Sequence, residues 1–170
     1  NYRKSGFVFA SRNRRLAAQG TGTGELSAGL VDLRRIPIQT ILDYDRDFFP
    51  APRSTFLEAW IQQPQAVSLG KLDGNVIQGY GVMRPCDQGF KVGPLFADSD
   101  SVAEEILVSL KNSAPSQAPV FLDVPDQSHA ERLGELYSME SIFETARMYL
   151  GPAPEIAWNR TYGITSFEVG

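Results

Sequence analysis

The side chains able to do chemistry are few, and their spacing rules out several reactions at once. One cysteine, Cys86, and one histidine, His129, occur in 170 residues. A zinc site of the usual kind needs about four sulfur or nitrogen ligands, so none can be assembled. Cys86 follows Pro85 in a turn, with no histidine near it in sequence to activate a nucleophile. What remains are carboxylates, hydroxyls and a phenol. Ala97-Asp98-Ser99-Asp100-Ser101 sets two carboxylates and two hydroxyls before a helical run, a composition suited to capping unpaired N–H groups. Asp123 opens Asp-Val-Pro-Asp, a good turn starter. Glu144 is spaced to pair with Arg147 or to face solvent, and Tyr137 stands at a helix end. Arg53 and Arg84 could orient an anionic group or form surface ion pairs.

Composition bounds the rest. With 42% hydrophobic residues, one domain with a sizeable core is expected. The formal net charge of −4 supplies no basic field for nucleic acid or an anionic membrane. Arg3, Lys4, Arg12, Arg14 and Arg15 make the N-terminal stretch locally basic, which reads as a solvated strand face. A single cysteine excludes an internal disulfide framework and suits a reducing compartment, so a cytoplasmic location is expected. No apolar run approaches the ~20 residues that span a bilayer.

The elements that must position these residues follow from periodicity. Gln19–Gly24 is Gly/Thr-rich and reads as a linker. Leu30–Arg34 alternates as a half-buried strand does. Ile38, Ile41, Leu42 and Phe48 recur at helical spacing until Pro50 breaks the run. A second helix starts near Ser54 and buries Phe56, Leu57, Trp60 and Ile61. Ala66–Leu72 and Val76–Met83 form a hairpin around Asp73-Gly74-Asn75. Phe90–Phe96 is a strand, Ser101-x-x-Glu104 has the form of a capping box, and Val102, Ile106 and Leu110 share one helix face. Pro119–Val124 suits a buried strand. A helix from about Gln127 to Tyr137, a strand Ile142–Leu150 and a last strand near Tyr162–Val169 complete the order β-α-α-β-β-β-α-β-α-β-β.

That order over Leu30 to Gly170 resembles the GNAT superfamily of acyl-CoA-dependent N-acyltransferases. The wording GYGVMRP, GPLFADS, PVFLDVP, IFETARMYLGPAP and YGITSFEVG resembles the divergent C-terminal domain of bacterial tandem GNAT proteins. Upstream, Tyr2-x-x-x-Gly6-Phe7 resembles the motif that ends such a domain. The resemblance implies an α/β fold with a mixed, mostly antiparallel sheet and helices on both faces. It divides the chain into 1–18, the tail of an upstream domain, a linker at 19–29, and a GNAT-like domain at 30–170. Residues Tyr2–Leu16 are then expected to pair with a sheet edge, of their own domain or of a second copy in a homodimer.

The implied activity is transfer of an acyl group from acetyl-CoA to an amine on a small molecule or a protein, without metal, nucleic acid or membrane. The acyl carbonyl and pantetheine would lie where the fourth and fifth strands splay, between Val92–Phe96 and Val120–Val124. Cofactor contacts would fall on Leu95, Phe96, Ala97, Asp98, Ser99 and Ser101. By position, Tyr137 would be the acid for the departing thiolate, and Asp123 and Glu144 the candidate bases. Phe48, Phe49, Tyr80, Phe96 and Tyr149 would line an acceptor pocket or pack in the core. One departure stands out: the family's glycine-rich phosphate loop is replaced by Ala97–Ala103, with no glycine and no basic residue. Two carboxylates where a pyrophosphate would dock predict weak coenzyme A binding. The alternative expectation is a non-catalytic domain that binds substrate or supports the upstream one.

Overall fold

The chain folds as β1 (Val8–Gln19), β2 (Leu30–Asp32), α1 (Ile38–Asp45), α2 (Ser54–Ile61), β3 (Val67–Asp73), β4 (Val76–Cys86), β5 (Gly89–Ala97), α3 (Asp100–Ser113), β6 (Pro119–Pro125), α4 (Ala130–Leu136), β7 (Glu140–Tyr149) and β8 (Thr161–Gly163). The computed structural model describes residues 2–126 and 128–168. From β2 onward this is the expected order. One mixed sheet runs β2-β3-β4-β5-β6-β1-β7, with β8 paired to β5 beside that path. Only β5 and β6 pair in parallel among the described strands. The others are antiparallel.

Local sequence explains the elements that hold the middle. Asp73 and Val76 pair across the β3–β4 turn, where Gly74 takes a positive φ that a β-carbon would strain. Val102, Ala103, Ile106, Leu107 and Leu110 on α3 are buried, as their spacing predicts. They pack with Met83, Val92, Leu95 and Leu122 in a core on one face of the sheet. Gly81 lets α3 approach, since a β-carbon there would lie 2.8 Å from Ile106 Cγ2. The opposite face holds a second core of Ile41, Phe48, Leu57, Ile61, Tyr80 and Phe96. Phe56 and Trp60 are only half-buried, stacked on each other rather than enclosed.

Several boundaries differ from the sequence reading. α1 ends at Asp45, so Phe48 enters the core from a turn. The N-cap of α3 is Ser99, whose side chain accepts from the Val102 N–H, because the helix begins earlier than a capping box at Ser101 would place it. Gln127, expected to start a helix, and Val169, expected to end a strand, lie outside the described residues. β1 is an inner strand, not an addition at an edge. Its Arg15 stands opposite Asp123 of β6, and its Arg14 opposite Glu144 of β7. Both hydrogen-bonding edges of β1 are therefore used within the chain. The last strand, expected near Tyr162–Val169, is the shorter Thr161–Gly163, which pairs with β5 and enters between β5 and β6.

Candidate functional site

Parallel pairing of β5 with β6 runs from Phe90 and Val120 to Val92 and Leu122 and goes no further. Beyond that point β8 occupies the space between the two strands. Leu95 pairs with Gly163 and Phe96 with Thr161. On the other side the Ile164 N–H donates to the Asp123 carbonyl at 2.9 Å. The fit is close. A β-carbon on Gly163 would lie 2.6 Å from Leu122 Cδ1, and one on Gly93 would lie 2.4 Å from the Thr165 carbonyl oxygen. Residues 161 to 166 are all buried.

The carboxylates before α3 anchor this segment. Asp98 receives Arg160 at 2.6 Å and the Tyr44 hydroxyl at 2.9 Å. Arg160 also reaches Asp47 at 2.8 Å and lies over the rings of Tyr44 and Phe48. Burial works against the Arg160 charge, but hydrogen bonds to Asp47 and Asp98 hold its pKa above the usual value. Asp100 accepts from the Tyr162 hydroxyl at 2.5 Å and faces His129 and Arg132. The Tyr162 hydrogen bond is the main cause that lowers the Asp100 pKa, and burial opposes it. Ser99 caps the helix and Ser101 hydrogen-bonds to it at 3.0 Å. Leu95, Phe96 and Ala97 are buried in the sheet. All six residues expected at a cofactor therefore have partners within the chain. Arg160 was not foreseen from sequence. The signal was an acidic turn without a nearby cation, which calls for a distant one.

At the far end of the segment the Thr165 hydroxyl accepts from Arg53 at 2.9 Å. Arg53 forms a two-bonded pair with Asp45 at 2.8 and 2.6 Å, and the Tyr80 hydroxyl donates to the same carboxylate at 2.6 Å. The side chains of Arg53 and Asp45 are 6% and 5% exposed, so of the two alternatives open from the sequence the surface pair does not form, and the pair is buried. Burial, reinforced by the Asp45 charge, pushes the Tyr80 pKa well up and keeps the phenol neutral.

The three expected catalytic residues lie apart. Asp123 is fully buried between Arg15, at 2.7 and 3.0 Å, and Lys91 at 2.6 Å. Two cations hold it in place on the sheet. Glu144 is exposed and pairs with Arg12 across β1 and β7, not with Arg147. Since Arg14 opposes Glu144 and Arg15 opposes Asp123, the two carboxylates point to opposite faces. The Tyr137 hydroxyl donates to Glu104 of α3 at 2.6 Å, with Lys111 over its ring. Burial and that bond push its pKa up to about 12, away from the range of an effective acid at neutral pH. Arg84 lies over Trp60, and Cys86 is a free, half-buried thiol. Among the described residues no group of three or more His, Cys, Asp or Glu could hold a metal. Among the described residues no helix is long and apolar enough to cross a membrane.

One apolar cavity of about 190 Å³ opens beside β8. Its walls come from the Phe48–Pro50 turn, Phe96, Arg147 and Tyr149 of β7, and the strand-connecting residues Ile156 and Trp158 together with Thr161 and Ile164. Phe48 and Phe96 stack with centroids 4.1 Å apart. Four of the aromatic residues singled out in the sequence are here, while Tyr80 is spent on Asp45. Trp158 and Arg147 were missed, because nothing local ties them to the site.

Residues 41–163 match the model of the acetyltransferase (GNAT) domain. The chain belongs to the GNAT acetyltransferase family. It is 26% identical over 174 residues to a holothin acyltransferase of Pseudoalteromonas, a match covering 100% of this chain and 58% of that protein. It is 29% identical over 129 residues to an uncharacterized N-acetyltransferase, YitH, of Bacillus subtilis, covering 74% of this chain and 45% of that one. A candidate acetyltransferase from Pyrococcus horikoshii superposes with a TM-score of 0.79 at 27% identity, over 99% of this chain and 55% of its own. The chain thus spans about half the length of these relatives.

Proposed function

We propose that this chain is the acceptor-side domain of an acetyl-CoA-dependent N-acyltransferase, which braces or binds the amine-bearing acceptor while the thioester is held elsewhere. The observation that carries the reading is the segment from Arg160 to Ser166 lying where the β5–β6 splay would admit pantetheine. The residues present do not fit acyl-CoA. The β5 edge at Leu95 and Phe96 is already hydrogen-bonded to β8. Asp98 and Asp100 stand at the start of α3, where the helix dipole would favour a phosphate. An extra pair of like charges at close range costs about 1 kcal/mol or more even in a high effective dielectric.

The separation of Asp123, Glu144 and Tyr137 supports the same reading, since acid and base must meet at one reacting amine. The names of the relatives support acyl transfer as the activity of the whole protein. A calorimetric titration of the 170-residue chain with acetyl-CoA tests the assignment. No saturable heat is expected up to millimolar concentration. Micromolar binding, with acyl transfer to any amine by this chain alone, would overturn it.

A further inference from the structure

We propose that the cavity beside β8 is a binding site for a small aromatic carboxylate, with its ring inside and its carboxylate on Arg147. Size sets the first limit. An apolar cavity of about 150 Å³ accepts benzene, so about 190 Å³ holds one substituted ring. The walls set the second. Phe48, Phe96 and Trp158 give an aromatic lining against which a flat ring can pack, and Ile164 closes one side.

Charge decides the substituent. Among the described residues Arg147 is the only charged one lining the cavity, and it meets no carboxylate among them. Its contacts are the Tyr149 hydroxyl at a long 3.3 Å and the face of Trp158 at 5.0 Å. Arg12, Arg14, Arg15, Arg53 and Arg160 all have acidic partners. Arg147 therefore keeps most of its donor fork for an incoming anion, and a carboxylate matches that fork with two parallel bonds. A cationic ligand would find aromatic faces but also a like charge. A neutral ring would leave the guanidinium without its match. The site goes beyond acyl transfer, because binding here requires neither acetyl-CoA nor a reaction.

The test is a titration of the full chain, without acetyl-CoA, against phenylacetate, phenylacetamide and phenethylamine, followed by amide NMR shifts. Phenylacetate should bind about tenfold or more tightly than the other two, with shifts clustered at Phe96, Arg147, Trp158 and Ile164. Arg147→Gln, on a half-buried strand position, should erase the preference and leave amide binding unchanged. Ile164→Phe should fill the cavity and abolish both, in a chain whose spectrum remains that of a folded protein. If Ile164→Phe unfolds, Arg147→Gln still decides. Equal affinity for acid and amide, a preference that survives Arg147→Gln, shifts mapping elsewhere, or no binding of phenylacetate at millimolar concentration would each overturn the proposal.

Discussion

The two ends of the segment that fills the splay are held by opposite kinds of electrostatics. At Arg160 and Tyr162 the partners are Asp98 and Asp100, whose side chains are 41% and 39% exposed. At Thr165 the partner is Arg53, locked to a carboxylate that water barely reaches. Exposed pairs are screened and replaceable, whereas a buried pair is costly to break because the surviving charge stays buried. The difference implies that the segment is staked at its inner end and tied loosely at its outer one. Detachment should begin at Arg160.

Removing the stake should have the largest effect. Asp45→Ala leaves Arg53 buried without a counter-charge and Tyr80 without an acceptor. A loss of about 3–5 kcal/mol is expected in urea unfolding. A loss below about 1 kcal/mol would mean that water reaches this pair after all. Next comes Gly93→Ala, whose added carbon would meet the backbone oxygens of Thr165 and Ile164 at 2.4 and 2.6 Å. Backbone must move, so about 1–3 kcal/mol is expected, with faster hydrogen exchange at Ile164. Unchanged exchange there would show that the segment is not seated against β5.

At the outer end the effects shrink. Asp98→Asn leaves Arg160 with Asp47, so about 0–1 kcal/mol is expected, diminishing further in high salt. A salt-independent loss of several kcal/mol would reverse the comparison of the two ends. The smallest effect is a pH dependence. The Asp100 pKa is lowered, so its contribution is present above the unfolded value of about 4 and disappears as pH falls through the lower folded value. The stability difference between the native chain and Asp100→Asn should therefore be constant near neutrality and vanish in acid. A difference that grows on acidification would contradict the Tyr162 contact.

These two ends also mark how far the sequence could be read. α3, the β3–β4 hairpin and the element order from Leu30 on were legible, since each rests on local periodicity or turn chemistry. The misfit of Asp98 and Asp100 to a phosphate was legible for the same reason. Their pairing with Arg160 and Tyr162, some sixty positions away, was not, because an ion pair leaves no pattern in either local segment. A strand was expected near Tyr162–Val169, but β8 ends at Gly163, and the close approaches at Gly163 and Gly93 have no signature in the local sequence. Likewise, nothing within Val8–Gln19 reveals that both its neighbours come from the second half of the chain. The sequence left open whether Arg53 orients an anion or pairs at the surface, because burial of a cation depends on Asp45, Tyr80 and Thr165 meeting it in space.

The position of β1 has a consequence for how the protein is made. It is an inner strand, yet it ends at Gln19 while its partners begin at Pro119 and Glu140. At translation rates of about 5–20 residues per second, it waits on the order of ten seconds with both edges open. Non-local pairing of this kind is slow, and an unpaired strand is an invitation to other nascent chains. Arg12, Arg14 and Arg15 place three positive charges within that strand. Charges so placed act as gatekeepers against self-association. The same arginines that meet Glu144, Glu131 and Asp123 in the folded chain are thus placed to oppose such association before those acids have been synthesised.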